Sequence, residues 1–281
     1  MLSTEPSVPD ALRDGPDTVS STPDGSSTAA VLRAPSSPRV TRVAVERPTG
    51  FGAPVRVRTS DGLLAARVVA RDGSHAEVAL VAGGAMLLGG DQVVVSIQVA
   101  PGCALTLTDV GGTVAYDGEG RECRWDADLS IGAGARLTWA GLPFIVAAGA
   151  DVRRTTTARL GAGAALTLRE TVVLGRSGER GGRMVLRTDI ADDVGPILVE
   201  ELTASGNRPV PGVLGEHTVM DTVTDVCGSL AATPERSEPT SAPDCDGAVV
   251  LHLERGGTLT RWLGPATHLS PLAPDSGSTG S

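Results

Sequence analysis

Lysine is missing from this 281-residue chain; all 24 basic residues are arginine. A Walker phosphate loop needs G-x-x-x-x-G-K-[ST], with the lysine reaching the phosphates, so that site is excluded. Aromatic residues make up only 2%. Trp125, Trp139, Trp262, Phe51, Phe144 and Tyr116 are too few and too dispersed for a base-stacking platform. The same scarcity argues against a carbohydrate- or ligand-binding β-module, which displays aromatic surfaces, and leaves the core to Val, Leu, Ala and Ile. Cys103, Cys123, Cys227 and Cys245 show no C-x-x-C spacing, which argues against a zinc ribbon or a redox pair. The histidines, His75, His217, His252 and His268, are scattered. Neither HAE at 75–77 nor GEHTVMD at 215–221 is H-E-x-x-H, so no fixed zinc or nickel centre is expected. The longest apolar run, LTWAGLPFIVAAGA at 137–150, is too short to span a bilayer. The opening MLSTEPSVPDALRDGPD has no apolar stretch of the kind a secretory signal needs. The expectation is a cytoplasmic protein with free thiols and no membrane association.

The net charge of −9 disfavours nucleic acid as a partner. The charge is unevenly spread. Residues 39–71 carry seven arginines against Glu46 and Asp61, and residues 188–246 carry twelve acids against Arg208 and Arg236. This asymmetry suits either an oriented protein contact or a cation route, or else two solvated faces.

Residues 1–38 are rich in Ser, Pro, Thr and Asp and are read as a disordered arm. Residues 231–246 read as a surface loop and 270–281 as a flexible tail, leaving 39–269 as the folded part. Within it, apolar residues recur mostly at period two. PVRVRTS, DQVVVSIQVA, CALTLTDV, ARLTWAG, RRTTTARL and AALTLRETVVL are strand-like and rich in β-branched residues. ILVEELTA, near residue 200, reads as helix or strand. An internal echo links APGCALTLTDVG (100–111), GAGARLTWAGLP (132–143) and GAGAALTLRETV (161–172). Their glycines, Gly102, Gly134 and Gly163, are spaced as in stacked strand–turn–strand units, although Gly/Ala-rich turns also recur by chance. The fold class expected is all-β, of stacked, β-helical or solenoid-like sheets with few short helices.

VAGGAMLLGGDQV (81–93) places Gly83, Gly84, Gly89 and Gly90 around a short apolar run. A dinucleotide fingerprint requires a helix after its glycines. Here QVVVSIQV comes next, so the glycines are read as bends and Asp91 as an acceptor at the turn. GRSGE (175–179) is not the Gly-x-Ser-x-Gly of a nucleophile elbow. No clustered acids suggest a β-helix hydrolase or lyase, which remains the rival reading alongside a ligand-binding module.

VAGGAMLLGGD resembles the Ser-Gly-Gly-Leu-x-x-Gly-Gly-Asp segment of the UreD (UreH) family of urease accessory proteins, with Ala82 at the serine position. GCALTLTDVGGTVAY resembles the family's next strand pair, ending at Tyr116. LPFIVAAGADVRRTTTARLGAGAALTLRETVVLGRSGERGG resembles its later block, on Pro143, Ala150, Gly175, Arg176, Gly178 and Glu179. The resemblance implies a non-catalytic β-helical scaffold for nickel insertion into urease. The partners implied are a helical UreF-type protein, a UreG-type GTPase and the urease apoprotein. No tightly bound cofactor is implied, only nickel in transit. Asp91, Glu170, Arg176 and Glu179 are the candidates for a partner contact or a cation passage, against ordinary structural roles as a turn cap (Asp91) and an Arg176–Glu179 pair. A solenoid leaves open sheet edges, and partner proteins are expected to cover part of them.

Overall fold

Each of the three echoes lies at a corner where the chain leaves one sheet for the other. A computed structural model describes residues 38–47, 50, 52–83, 87–209, 212–229 and 247–272. The expected arm up to residue 37, the 231–246 loop, residues 273–281, Gly84, Phe51 and Cys245 lie outside the described residues. Strands β1 (Val40–Glu46), β2 (Arg56–Ser60), β3 (Leu64–Arg71) and β4 (His75–Ala82) open the described fold. Then β5 (Gln92–Val99), β8 (Cys123–Ile131), β11 (Asp151–Leu160) and β13 (Arg183–Asp192) lie parallel in a first sheet. Strands β6 (Ala104–Asp109), β9 (Arg136–Ala140) and β12 (Ala165–Leu174) lie parallel, beside β4, in a second. Short strands β7 (Thr113–Ala115) and β10 (Phe144–Val146) pair with each other, and β10 also pairs with β12. The chain alternates between the sheets as a β-solenoid of about four turns.

The corners explain the glycines. Gly102, Gly134 and Gly163 have φ of 71°, 62° and 63°, a left-handed backbone that glycine adopts without Cβ strain. The Gly102 amide donates to the Ala133 carbonyl at 3.0 Å, and the Gly134 amide to Ala162 at 2.9 Å. Each corner therefore fixes the height of the next. After the corners, Ala104, Arg136 and Ala165 stand in register. Leu105, Leu137 and Leu166 follow them into the core, all buried. The alternation of Val93, Val95, Ile97 and Val99 on β5 fills the same core from the opposite side.

Four more strands complete the body: β14 (Gly195–Ser205), β15 (Val219–Cys227), β16 (Ala248–His252) and β17 (Thr258–Gly264). The first sheet runs β14-β13-β11-β8-β5-β1-β2, and the second runs β16-β17-β15-β12-β9-β6-β4-β3. ILVEELTA is strand in β14, and the single helical element among the described residues is a 3-10 turn at Thr267–Leu269. This order puts the arginine-rich 39–71 stretch at one end of the stack and the acidic 188–229 stretch at the other. Cys103, Cys123 and Cys227 are free thiols, and burial pushes the Cys123 thiol up to about 11.

Substitution at a corner tests this stacking. A Cβ at Gly134 would meet no atom within 4 Å, so its only penalty is backbone conformation. Gly134→Ala is expected to destabilise by about 1–2 kcal/mol, and Gly134→Asn by less, because Asn tolerates the left-handed region. Urea unfolding of the three chains measures both differences.

Candidate functional site: a polar row between the sheets and a stacked loop edge

On β11 the apolar phase reads Val152, Arg154, Thr156, Ala158, Leu160, and two of these five inward positions are polar. Strand register carries the row outward. In the first sheet Thr156 aligns with Thr188 of β13, and Thr188 with Glu200 of β14. In the second, Glu170 of β12 aligns with Thr222 of β15, and Thr222 with Arg261 of β17. Side chains bridge the gap. Arg154 donates to Glu170 at 3.1 Å through Nε and lies 3.0 Å away through Nη2. The Thr156 hydroxyl donates to the same carboxylate at 3.2 Å. Further out, Arg261 forks onto both oxygens of Glu200 at 2.9 and 2.6 Å, while its Nε donates to Thr222 at 3.1 Å. Two cations and two carboxylates thus balance along one line from mid-core to the acidic end.

Aromatic groups close the inner end. The Arg154 guanidinium lies 5.4 Å from the Trp125 ring and 5.1 Å from that of Phe144. The two rings meet edge to face at 5.8 Å. Trp125 Nε1 is buried and donates to no partner among the described residues, an exception among interior polar groups. Nearby, burial pushes the Asp109 carboxyl above its ordinary range. The Leu142 amide (3.0 Å), the Trp139 indole N–H (3.2 Å) and the charge of Arg154 oppose that shift.

The other candidates lie on the edge where the chain returns to the first sheet. The Asp91 carboxylate accepts the Leu88 amide at 2.9 Å, and the Asp91 amide returns to the Leu88 carbonyl at 2.9 Å. Between them Gly90 has φ 89°. A Cβ on Gly89 would stand 2.4 Å from the Gly118 carbonyl of the next loop. Gly90 leads into β5 rather than into a helix, so no dinucleotide loop is formed. Gly83 closes the end of β4 by donating to Leu63 at 3.2 Å. In the GRSGE loop, the Glu179 amide donates to the Arg176 carbonyl at 2.9 Å, with Gly178 at φ 78° inside the turn. A Cβ on Gly175 would strike the Glu179 carbonyl at 2.4 Å. Arg176 pairs with Glu179, whose other oxygen accepts the amides of Arg176 and Ala148, each at 3.3 Å. Glu179 therefore fastens its own loop to the one before it. Beyond this loop a cavity of about 310 Å³ opens, lined by Arg180, Ser205, Glu216 and His217 among others.

Asp91, Arg176 and Glu179 thus share one edge, but Asp91 precedes β5 and Glu179 precedes β13. Those strands are three steps apart, or about 14 Å at ordinary strand spacing. Glu170 lies apart from them, between the sheets. Sequence reading missed Arg154, Thr156, Glu200 and Arg261. Their signal was a charged or hydroxyl residue in the apolar phase of a strand. It also missed Asp221, wholly buried on the outer face of β15, where Arg169 grips it at 3.1 and 2.7 Å. Thr171 and Ser270 also donate to Asp221, so the first residue of the expected tail is held against the sheet. No three His, Cys, Asp or Glu side chains among the described residues gather as a metal-binding group.

Two outcomes are expected. Removing one member of a buried ion pair leaves an uncompensated charge, so Glu170→Leu should destabilise by about 3–5 kcal/mol. The double variant Arg154→Met/Glu170→Leu should recover most of that loss in urea unfolding. The Arg176 side chain, with the Ala148 and Arg176 amides, outweighs burial and holds the Glu179 carboxyl down to about 2. A lowered folded-state value stabilises above the ordinary carboxylate range and is lost as pH falls toward 2. The protection of the Ala148 amide, taken relative to its intrinsic exchange rate at each pH, should therefore fall across that window, and Glu179→Gln should flatten the dependence.

Comparison with known proteins agrees with this geometry. The sequence profile of the family described as UreD urease accessory protein matches residues 40–270, which begin and end with the solenoid body. Urease accessory protein UreD 1 of Streptomyces griseus subsp. griseus is 42% identical over 192 residues, covering 68% of this chain and 74% of that protein. Urease accessory protein UreD of Streptomyces coelicolor is 32% identical over 229 residues, covering 80% and 85%. Urease accessory protein UreD 2 of Saccharopolyspora erythraea is 30% identical over 219 residues, covering 76% and 75%. With the family profile spanning the solenoid and relatives of 32–42% identity covering two thirds or more of this chain, the chain belongs to the UreD urease accessory protein family.

Proposed function

We propose that this chain is a non-catalytic scaffold in urease maturation, acting in the cytoplasm with a UreF-type protein, a UreG-type GTPase and the urease apoprotein. Its cargo is nickel, held in transit rather than as a resident cofactor. The observation that carries this reading is the family match, which covers the folded body almost end to end. No helix among the described residues is long and apolar enough to cross a membrane.

The interior polar row is the better route for a cation than the loop edge. A conducting path must offer oxygen ligands that bind without trapping. Glu170 and Glu200 offer carboxylates, and Thr156, Thr188 and Thr222 offer hydroxyls at intervals between them. Arg154 and Arg261 already occupy the two carboxylates, so a passing cation competes for each and is released to the next. On the loop edge, Asp91 and Glu179 are engaged with backbone amides and act as fasteners.

Urease activity in cells lacking this protein tests the scaffold role. At limiting nickel, activity should fall sharply and return on complementation with the intact chain; unaltered activity contradicts the reading. Glu200→Gln, which keeps the shape of the row but removes a carboxylate charge, should complement poorly at limiting nickel and well when nickel is in excess.

A further inference from the structure

Edge strands invite further pairing unless they are short, bulged, charged or interrupted by proline. Three of the four edges here are protected in this way. Strand β2 is five residues long with Arg56 and Arg58 on it, and β16 is also five residues long. Strand β3 is broken by a bulge at Val68/Ala70, between Arg67 and Arg71. Strand β14 differs. It has eleven residues; Pro196 and the irregularity opposite Ile190/Ala191 protect only its beginning, and its two charges, Glu200 and Glu201, are engaged by Arg261 and Arg187 of this chain. Residues 198–205 pair with β13 on one side and, among the described residues, with no strand on the other.

A second observation concerns the unequal reach of the sheets. Strand β17 meets β14 across the interior through the Arg261–Glu200 pair, and β16 carries the second sheet one strand farther. Its register sets Val249 beside Arg261 and Leu251 beside Leu259, so both side chains point inward. They are nevertheless 61% and 49% exposed, because no described strand of the first sheet lies opposite them. An inward-facing apolar ledge therefore projects beside an open strand edge.

We propose that a partner protein supplies one extended segment that pairs with the free edge of β14 and roofs Val249 and Leu251. This mode is β-strand addition, in which main-chain hydrogen bonds give affinity and alternate side chains give specificity. The segment is apolar at inward positions, to meet the ledge, and cationic at outward positions. There it faces the outward row of Val199, Glu201 and Thr203, with Glu201 half exposed. This end of the body carries the matching charge. Residues 188–229 and 247–272 hold nine acids and three arginines, a balance of −6. A second copy fits poorly. At its basic end β2 and β3 lie against each other, so setting β2 on β14 would drive β3 into β16. The proposal rests on the fold and not on the maturation role, so its failure leaves the urease activation test untouched.

The test uses the full chain and a short fluorescent peptide alternating valine with arginine. Anisotropy should show saturable binding, and exchange of amides 198–205 should slow on peptide addition. A peptide alternating valine with glutamate should not bind. Glu201→Arg, and separately Val249→Ser/Leu251→Ser, should each weaken binding roughly tenfold or more, while Val69→Ser on β3 should not. The ledge residues are solvent-exposed, so these variants should unfold like the parent chain, which circular dichroism checks. Equal affinity in the ledge variants, or no saturable binding, overturns the proposal. Binding seen only after deletion of 231–246 overturns it in favour of this chain's own segment on the edge. Self-association that Leu251→Ser abolishes overturns it in favour of a second copy.

Discussion

The solenoid depends on the same left-handed backbone corner being repeated in three successive rungs, at Gly102, Gly134 and Gly163. A chain that crosses between two sheets must reverse direction in a few residues without leaving its amides unpaired. Gly102, Gly134 and Gly163 meet both demands, since each takes a positive φ and each amide is satisfied by a carbonyl of the next corner or of Gly228 beyond it. Once the corners are pinned, the register of β6, β9 and β12 is set, and the leucines behind them stack without adjustment. The opposite edge is fixed by closer means, with glycines packed against neighbouring backbone at Gly89 and Gly118 and the Glu179 carboxylate joining two loops.

That rigid frame is what permits a polar interior. Buried charges hold their place only when paired and hydrogen-bonded. The frame sets Arg154 against Glu170 and Arg261 against Glu200 with hydroxyls between them. An all-apolar core is often simpler to stabilise than a buried charge-balanced row, and the proposed cation route is a use for that row other than packing. The proposed cation route and the open β14 edge are separate consequences of one architecture. The first arises from what lies between the sheets, and the second from the sheets ending at different lengths.

Much of the fold was legible in the residues. Period-two patterns marked the strands, and the recurrence of small-x-Gly-small-x-Leu-Thr marked the rung length. The strand pattern after Gly90 was enough to remove the nucleotide reading. The segment 197–204 was ambiguous, because ILVEELTA satisfies either period. Its pairing with β13 decides for strand, as a neighbour's open edge outweighs weak local preference. The functional reading depended on the glycine motifs and their order, and among the described residues Gly89, Gly90, Gly175 and Gly178 lie in tight turns or against neighbouring backbone.

The sequence by itself marked several of the strands, the corner glycines and a family resemblance, because these depend on local backbone preference and on spacing along the chain. Only the tertiary structure decided which charges meet. Arg154 finds Glu170 sixteen residues away, and Arg261 finds Glu200 sixty-one away. Both encounters are set by sheet order and register, which are sums over the whole hydrogen-bonded stack. The same sums separated Asp91 from Glu179, placed Glu170 inside, and left one strand of the second sheet with nothing described opposite it.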